Sequence, residues 1–327
     1  MIFRTTFDIP PSPVGLTYQT PAMMLGSCFS NNIGNKLTAH KFDVLPNPYG
    51  VIYNPYSIQL VLKHMLGDYQ PDDTNYVFHN EQWHSYLHHG SFSETTKEAL
   101  VQKIAATRNA GAKWLQKARF LFITFGTAWV YQLKTTRQIV ANCHKVPAAE
   151  FHRFRLSTCD ITDEFSHLIQ RLESINPDLK IVFTLSPVRH MKDGATENQL
   201  SKSILNVAIH ELVAMYEQCS YFPSYELVMD DLRDYRFYAP DMTHLTDQAV
   251  SYIYQRFLDT YVDDATLKIT QRVEKLKQAL AHRPVNPNSE AHKKLLHKTR
   301  TRIEELQKEV PQQNWSNELG VIIKLLR

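Results

Sequence analysis

A short apolar run followed by an amphipathic stretch of roughly 12 to 20 residues, repeated along the chain, most restricts what this sequence can become. Residues 22–25, 42–45, 120–125, 180–185 and 225–229 read as strands, and the clearest is Phe-Leu-Phe-Ile-Thr-Phe at 120–125. Helices are expected over 28–39, 55–66, 95–117, 160–175, 197–218 and 246–261. Pro55 suits a first helical turn, and Ile58, Val61, Leu62 and Met65 recur at helical spacing behind it. Thr95 with Glu98 reads as a capping box, Asp160 and Thr246 as caps, and Asn176-Pro177 as a stop. Residues 129–133 and 138–141 form a hairpin excursion, whereas 67–92 are loop-like and rich in histidine and aromatics. Strands alternating with helices predict a parallel sheet covered on both faces. Ligands of such sheets bind beyond the carboxyl ends of the strands. That rim comprises 26–28, 47–50, 126–129, 186–190 and 238–244.

Composition narrows the class. With 43% apolar and 21% charged residues, the chain has an ordinary globular balance. No apolar run is long enough to span a membrane, and Asp8 interrupts an N-terminus that has no signal-peptide core. The 36 basic and 33 acidic residues are too balanced to argue for a nucleic-acid partner. Cys28, Cys143, Cys159 and Cys219 show no CxxC pattern, which favours a reducing, cytoplasmic setting. Only 10 of 327 residues are glycine, so low-complexity architectures are excluded and each glycine is expected to have a structural reason.

The pattern changes near residue 262. Residues 262–327 carry 13 Lys/Arg and 8 Asp/Glu, against 23 and 25 in residues 1–261. Val262, Ala265, Ile269, Val273, Leu276 and Leu280 form one apolar seam; Leu296, Thr299, Ile303, Leu306 and Val310 form another. Proline-bounded residues 284–288 separate them, so a domain over 1–261 is expected to carry a C-terminal αα-hairpin over 262–327. The seam has three candidate partners: itself, the main domain, or a second copy in a homodimer.

Asp241-x-x-His244 lies on the rim, where a carboxylate can orient an imidazole and stabilise its protonated form. Cys28 sits in the turn after the first strand, at a helix start that favours a thiolate. Ser27 is the competing nucleophile. Arg189, in Ser186-Pro187-Val188-Arg189-His190, can hold a carboxylate or phosphate, or form a structural ion pair. His79, His84, His88 and His89 surround Trp83. His84 and His88 have the i, i+4 spacing of metal ligands on a helix, but no Glu follows His84 as in HExxH, and a substrate-facing wall including His89 is favoured over a metal site. Neither a metal nor another cofactor is expected.

Leu25-Gly26-Ser27-Cys28-Phe29-Ser30 resembles the signature of the GSCFA family, with Ser30 at its final alanine. The similarity extends through 47–55, 184–190 and Asp241-x-x-His244, and covers about residues 20–258. That family is grouped with the SGNH/GDSL hydrolases. The resemblance therefore implies a three-layer α/β sandwich with a five-stranded parallel sheet in flavodoxin-like order, and acyl-ester hydrolysis or transfer. It implies Cys28 as nucleophile, since Gly26, Ser27 and Cys28 fall on the superfamily's Gly-Asp-Ser; acetyltransferases with a Gly-Asn-Cys variant are similar. It further implies His244 as base, Asp241 as its orienting partner, and backbone N–H groups of Gly50 and Cys28 as oxyanion donors. The third SGNH block falls on Gly126-Thr127-Ala128-Trp129, where Ala128 replaces the donor Asn; Asn54, Thr127 and Asn31 are the candidate substitutes. Arg189, His190, Ser186 and His89 are the expected substrate contacts. A small-molecule or carbohydrate ester, or a thioester acyl donor, is the implied substrate, and a catalytically inactive binding module is the alternative.

Overall fold

The computed structural model describes residues 4–325. Among them, 4–9, Pro21–Asn35 and Val44–Gln255 form one compact unit; Pro10–Thr20, Lys36–Asp43 and the chain from Arg256 onward form another.

The elements, in chain order, begin with β1 (Ala22–Gly26), α1 (Cys28–Ala39), β2 (Val44–Pro46), α2 (Pro55–Leu66), β3 (Tyr76–His79), β4 (Gln82–Ser85) and α3 (Lys97–Lys117). Then come β5 (Phe120–Phe125), β6 (Trp129–Leu133), β7 (Ile139–Val140), β8 (Phe151–Arg155), α4 (Thr158–Ile175), β9 (Lys180–Leu185), α5 (Gly194–Met215), β10 (Cys219–Tyr221) and the short α6 (Ser224–Glu226). The chain closes with α7 (Asp247–Tyr261), α8 (Asp264–Ala281), α9 (Glu290–Glu309) and α10 (Ser316–Leu325).

Five strands form one parallel sheet in the order β10-β9-β5-β1-β2. Counted within the sheet this is 2-1-3-4-5, the flavodoxin-like order, whose topological switch lies between β1 and β5. Alternation separates the two faces. Met23, Leu25, Leu121, Ile123, Phe125, Ile181, Phe183 and Leu185 join buried residues of α2, α3, α4 and α5 in one core. Phe125, Phe165 and Phe183 meet there with ring centroids 5.1–5.8 Å apart. Each buried ring contributes about 1.5–3 kcal/mol. Opposite, Met24 faces α1, where a Cβ on Gly34 would lie 2.6 Å from Pro46 Cβ.

The apolar run at 225–229 is not a strand. Ser224 Oγ donates to Leu185 O, and the chain turns into α6 and a wide helical turn over Leu227–Asp231. Leu227 and Val228 are buried from that turn, so the run is core without being sheet. The last strand is β10, only three residues long. Two caps also shift: Thr96 caps α3, and Ser157 caps α4 with Asp160 at the third helical position. Residues 67–92 include the β3–β4 hairpin, whose Asn80 and Glu81 have φ of 47° and 61°, the left-handed pair of a type I′ turn. A third antiparallel strand, β8, pairs with β6 beside β7.

In the second unit, α8 and α9 pack through Val273, Leu276, Leu296, Ile303 and Leu306, all buried. The unforeseen helix α10 packs on both, with Ile322 buried. Tyr18 stacks on Phe42 at 4.7 Å and its hydroxyl pairs with Thr270. Along the α8 seam Val273 and Leu276 are buried within this unit, Ile269 and Leu280 are half-buried and Ala265 is exposed.

Candidate active site

Segments after β1, β2, β5 and β9, together with the turn before α7, line one cavity of about 540 Å³ at the carboxyl ends of the sheet. Cys28, Asn54, Thr127, Arg189, His190 and His244 all reach it.

Cys28 opens α1 directly after β1. Gly26 makes that exit tight: its φ is +129°, and a Cβ there would lie 2.2 Å from Thr124 O. Burial pushes the Cys28 thiol above its usual range, opposed by its own N–H, by Lys202 and by the Phe29 N–H. The resting sulfur is therefore a thiol that needs a base. Ser27 is buried outside the cavity lining; its Oγ accepts from Phe29 N–H. Only the cysteine of the two nucleophile candidates faces the cavity.

His244 sits in a tight turn in which Met242 has φ of 55°. Asp241 Oδ1 accepts from the N–H groups of Thr243 and His244, both at 2.9 Å. Its Oδ2 lies 2.6 Å from His244 Nδ1. The bond from His244 is the main reason the Asp241 carboxyl falls to about 2. With Nδ1 engaged, Nε2 is the nitrogen left to exchange a proton.

The oxyanion candidates divide sharply. Gly50 N–H donates to Asn47 O at 2.7 Å and Gly126 N–H to Tyr53 O at 2.7 Å, so both are committed to the chain's own turns. A Cβ on Gly126 would lie 2.9 Å from that same Tyr53 O, so close approach of backbone is the reason for glycine there. Asn31 lies outside the cavity lining. Thr127 lines the cavity, but its hydroxyl pairs with Ser201 Oγ and accepts from Trp129 N–H. Ala128, in the place of the superfamily Asn, is buried and donates its N–H to Ser201 Oγ. Asn54 caps α2, accepting from Ser57 N–H through Oδ1, which leaves Nδ2 for the cavity it lines.

Among the expected substrate contacts, Arg189, His190 and His89 line the cavity. Ser186 does not: it is fully buried, and its Oγ accepts from Val188 N–H. Of the other clustered histidines, His84 and His88 are buried and His79 is half-buried; none lines the cavity. His64 Nδ1 meets Tyr49 OH, His88 Nδ1 meets Ser85 Oγ, and His84 stacks on His144 at 4.6 Å. Among the described residues, no cluster of His, Cys, Asp or Glu is arranged to hold a metal ion.

Lys202 is the residue that sequence reasoning missed. It lies in α5, is 1% exposed, and donates through Nζ to Gly126 O at 2.6 Å and Ser186 O at 2.7 Å. These carbonyls follow β5 and β9, so one ammonium ties together two turns of the cavity. Burial lowers Lys202 to about 7. Its charge bears on Cys28, and on His190, which burial holds down at about 4.

The model of the GSCFA family matches residues 21–257. The chain belongs to the GSCFA family. The model of the GSCFA domain protein C-terminal domain matches residues 273–327 of this GSCFA protein. No curated protein matches the chain. Among solved structures it is similar to a carbohydrate esterase family 2 enzyme from Corynascus thermopiles (Myceliophthora fergusii), at 10% identity and a TM-score of 0.40, over 80% of this chain and 69% of that one. An acetyl xylan esterase from Butyrivibrio proteoclasticus is similar at 10% identity and a TM-score of 0.39, over 74% and 63%. A carbohydrate esterase family 3 protein from Talaromyces cellulolyticus is similar at 10% identity and 0.35, over 79% and 99%. No helix among the described residues is long and apolar enough to cross a membrane.

Proposed function

We propose that this GSCFA protein is an acyl-ester hydrolase or acyltransferase working through Cys28, His244 and Asp241. The observation that carries the reading is that Cys28 lines the same cavity as a histidine whose Nδ1 is held 2.6 Å from a carboxylate. In the first step Cys28 Sγ bonds to the ester carbonyl carbon while its proton passes to His244 Nε2. The tetrahedral oxyanion takes hydrogen bonds from the Cys28 N–H and Asn54 Nδ2. The C–O bond then breaks, and His244 returns the proton to the leaving alkoxide. Water or a second hydroxyl attacks the resulting thioester and regenerates the thiol. Tyr53, Trp129 and Tyr131 line the cavity and offer flat faces against which a sugar ring can pack.

A non-catalytic binding module is the second reading, favoured by Ala128 and by the raised thiol. Turnover of 4-nitrophenyl acetate separates the two. Cys28→Ala and His244→Ala are expected to fall to background, with Ser27→Ala retaining most of the rate. Wild type no faster than His244→Ala would establish the binding module, and full activity in Cys28→Ala would remove the nucleophile assignment. Asn54→Asp keeps the helix cap but removes the donor, so kcat should fall on the order of 10². Asn54→Asp turning over at the wild-type rate would exclude that donor.

A further inference from the structure

Three cationic side chains reach the walls of the reacting cavity, and they differ in how far they are matched by anions. Arg153, Arg189 and Lys192 line it, and among the described residues no aspartate or glutamate does. Arg153 is already neutralised, held by both oxygens of Asp193. Lys192 donates to Tyr131 OH at 2.7 Å and is exposed. Arg189 differs from both. One guanidinium nitrogen donates to Tyr238 OH at 3.3 Å, and the guanidinium carbon sits 5.1 Å from that ring's centroid. The groups bearing on its charge are the tyrosines Tyr238, Tyr235 and Tyr225, and it belongs to none of the described ion pairs. Tyr238 therefore fixes the guanidinium while leaving most of its donor fork unused.

The neighbouring cavity sharpens the contrast. Arg189 also borders a space of about 480 Å³ that Asp230, Asp234 and Arg233 line. An anion entering that space meets two carboxylates beside its guanidinium groups, whereas among the described residues no carboxylate lines the reacting cavity. The planar fork of arginine suits the paired oxygens of a carboxylate or phosphate, and Lys192 adds a point charge close by in sequence.

We infer that the reacting cavity takes an ester whose non-reacting part bears an anionic oxygen group, a carboxylate or a phosphate, held by Arg189 with support from Lys192. The inference builds on the acyl-transfer reading but concerns recognition, so it can be measured without turnover. Cys28→Ala protein would be titrated with phenyl phosphate, benzoate and the neutral benzamide, following affinity by calorimetry and melting temperature. Both anions should bind measurably better than benzamide, and the stronger of them names the favoured group. Arg189→Met in the same background should weaken anion binding about tenfold or more, as loss of a charge-assisted hydrogen-bonded contact does. Lys192→Met should weaken it less, and raised salt should weaken it throughout. A melting temperature of Arg189→Met within a few degrees of its parent keeps the comparison valid. If that variant does not fold, Arg189→Lys, which retains the charge and loses the fork, replaces it and should bind the anions more weakly. Equal binding of benzamide and the anions, or unchanged anion binding in the Arg189 variants, would overturn the inference. Esterase turnover is read separately: anion binding without turnover would defeat the acyl-transfer reading and leave the anion site standing.

Discussion

Two groups of histidines in the first unit show how surroundings divide one side chain between opposite roles. His244 is more than half exposed and has a carboxylate on Nδ1. His64, His88 and His144 are buried, and they pair with a tyrosine hydroxyl, a serine hydroxyl and a backbone carbonyl respectively. Burial holds His64 and His144 down at about 4, and His88 well below the usual histidine range. Water and a carboxylate let an imidazole accept a proton; a dry, neutral setting refuses it. In the proposed reaction His244 carries the proton, whereas the buried histidines pack.

The comparison can be broken most directly by exchanging the groups' fates. His244→Ala should lower ester turnover by about 10⁴ or more. His88→Phe, which keeps a ring stacked on Tyr49, should leave turnover within about tenfold and shift stability by only about 1 kcal/mol. A large turnover loss in His88→Phe with an unchanged melting temperature would dissolve the distinction. Asp241→Asn tests the carboxylate's part. The amide cannot stabilise the imidazolium, and kcat should fall by about 10³ while the fold persists. A rate near wild type would show that the carboxylate only shapes the turn.

The smallest effect concerns acid. Because the folded-state pKa values of the buried histidines lie below their unfolded values, the unfolded chain binds more protons as pH drops. Their contribution is complete above about 6.5 and is lost progressively towards about 4. The melting temperature should therefore decline through that window, and less steeply in His88→Phe. A flat profile between pH 7 and 4.5 would contradict the assigned neutral state.

The central strands were legible because strands buried on both faces read as unbroken apolar runs; Phe120–Phe125 and Lys180–Leu185 are such cases. Edges were not. Cys219–Tyr221 is too short to carry a pattern, and Phe-His-Arg-Phe-Arg in β8 is polar enough to pass for loop. The run at 225–229 misled because burial alone does not distinguish a strand from a helical turn. In the candidate site, Cys28 and the Asp241–His244 pair could be named from residue type and spacing. Ser186 and Gly50 required the turns themselves, since hydrogen bonds within those turns take up the Ser186 hydroxyl and the Gly50 N–H. Lys202 was hidden because a lysine within a helix reads as a solvated face, whereas this one points under the sheet's rim.

That lysine has a thermodynamic consequence. Two carbonyls need two N–H donors, which an uncharged amine still has, so Lys202 can shed its third proton near pH 7 without releasing either turn. A negatively charged guest would favour the ammonium form and draw a proton from solution as it docks. The heat of docking would then depend on the ionisation enthalpy of the buffer, making the protonation of one buried amine visible to a calorimeter.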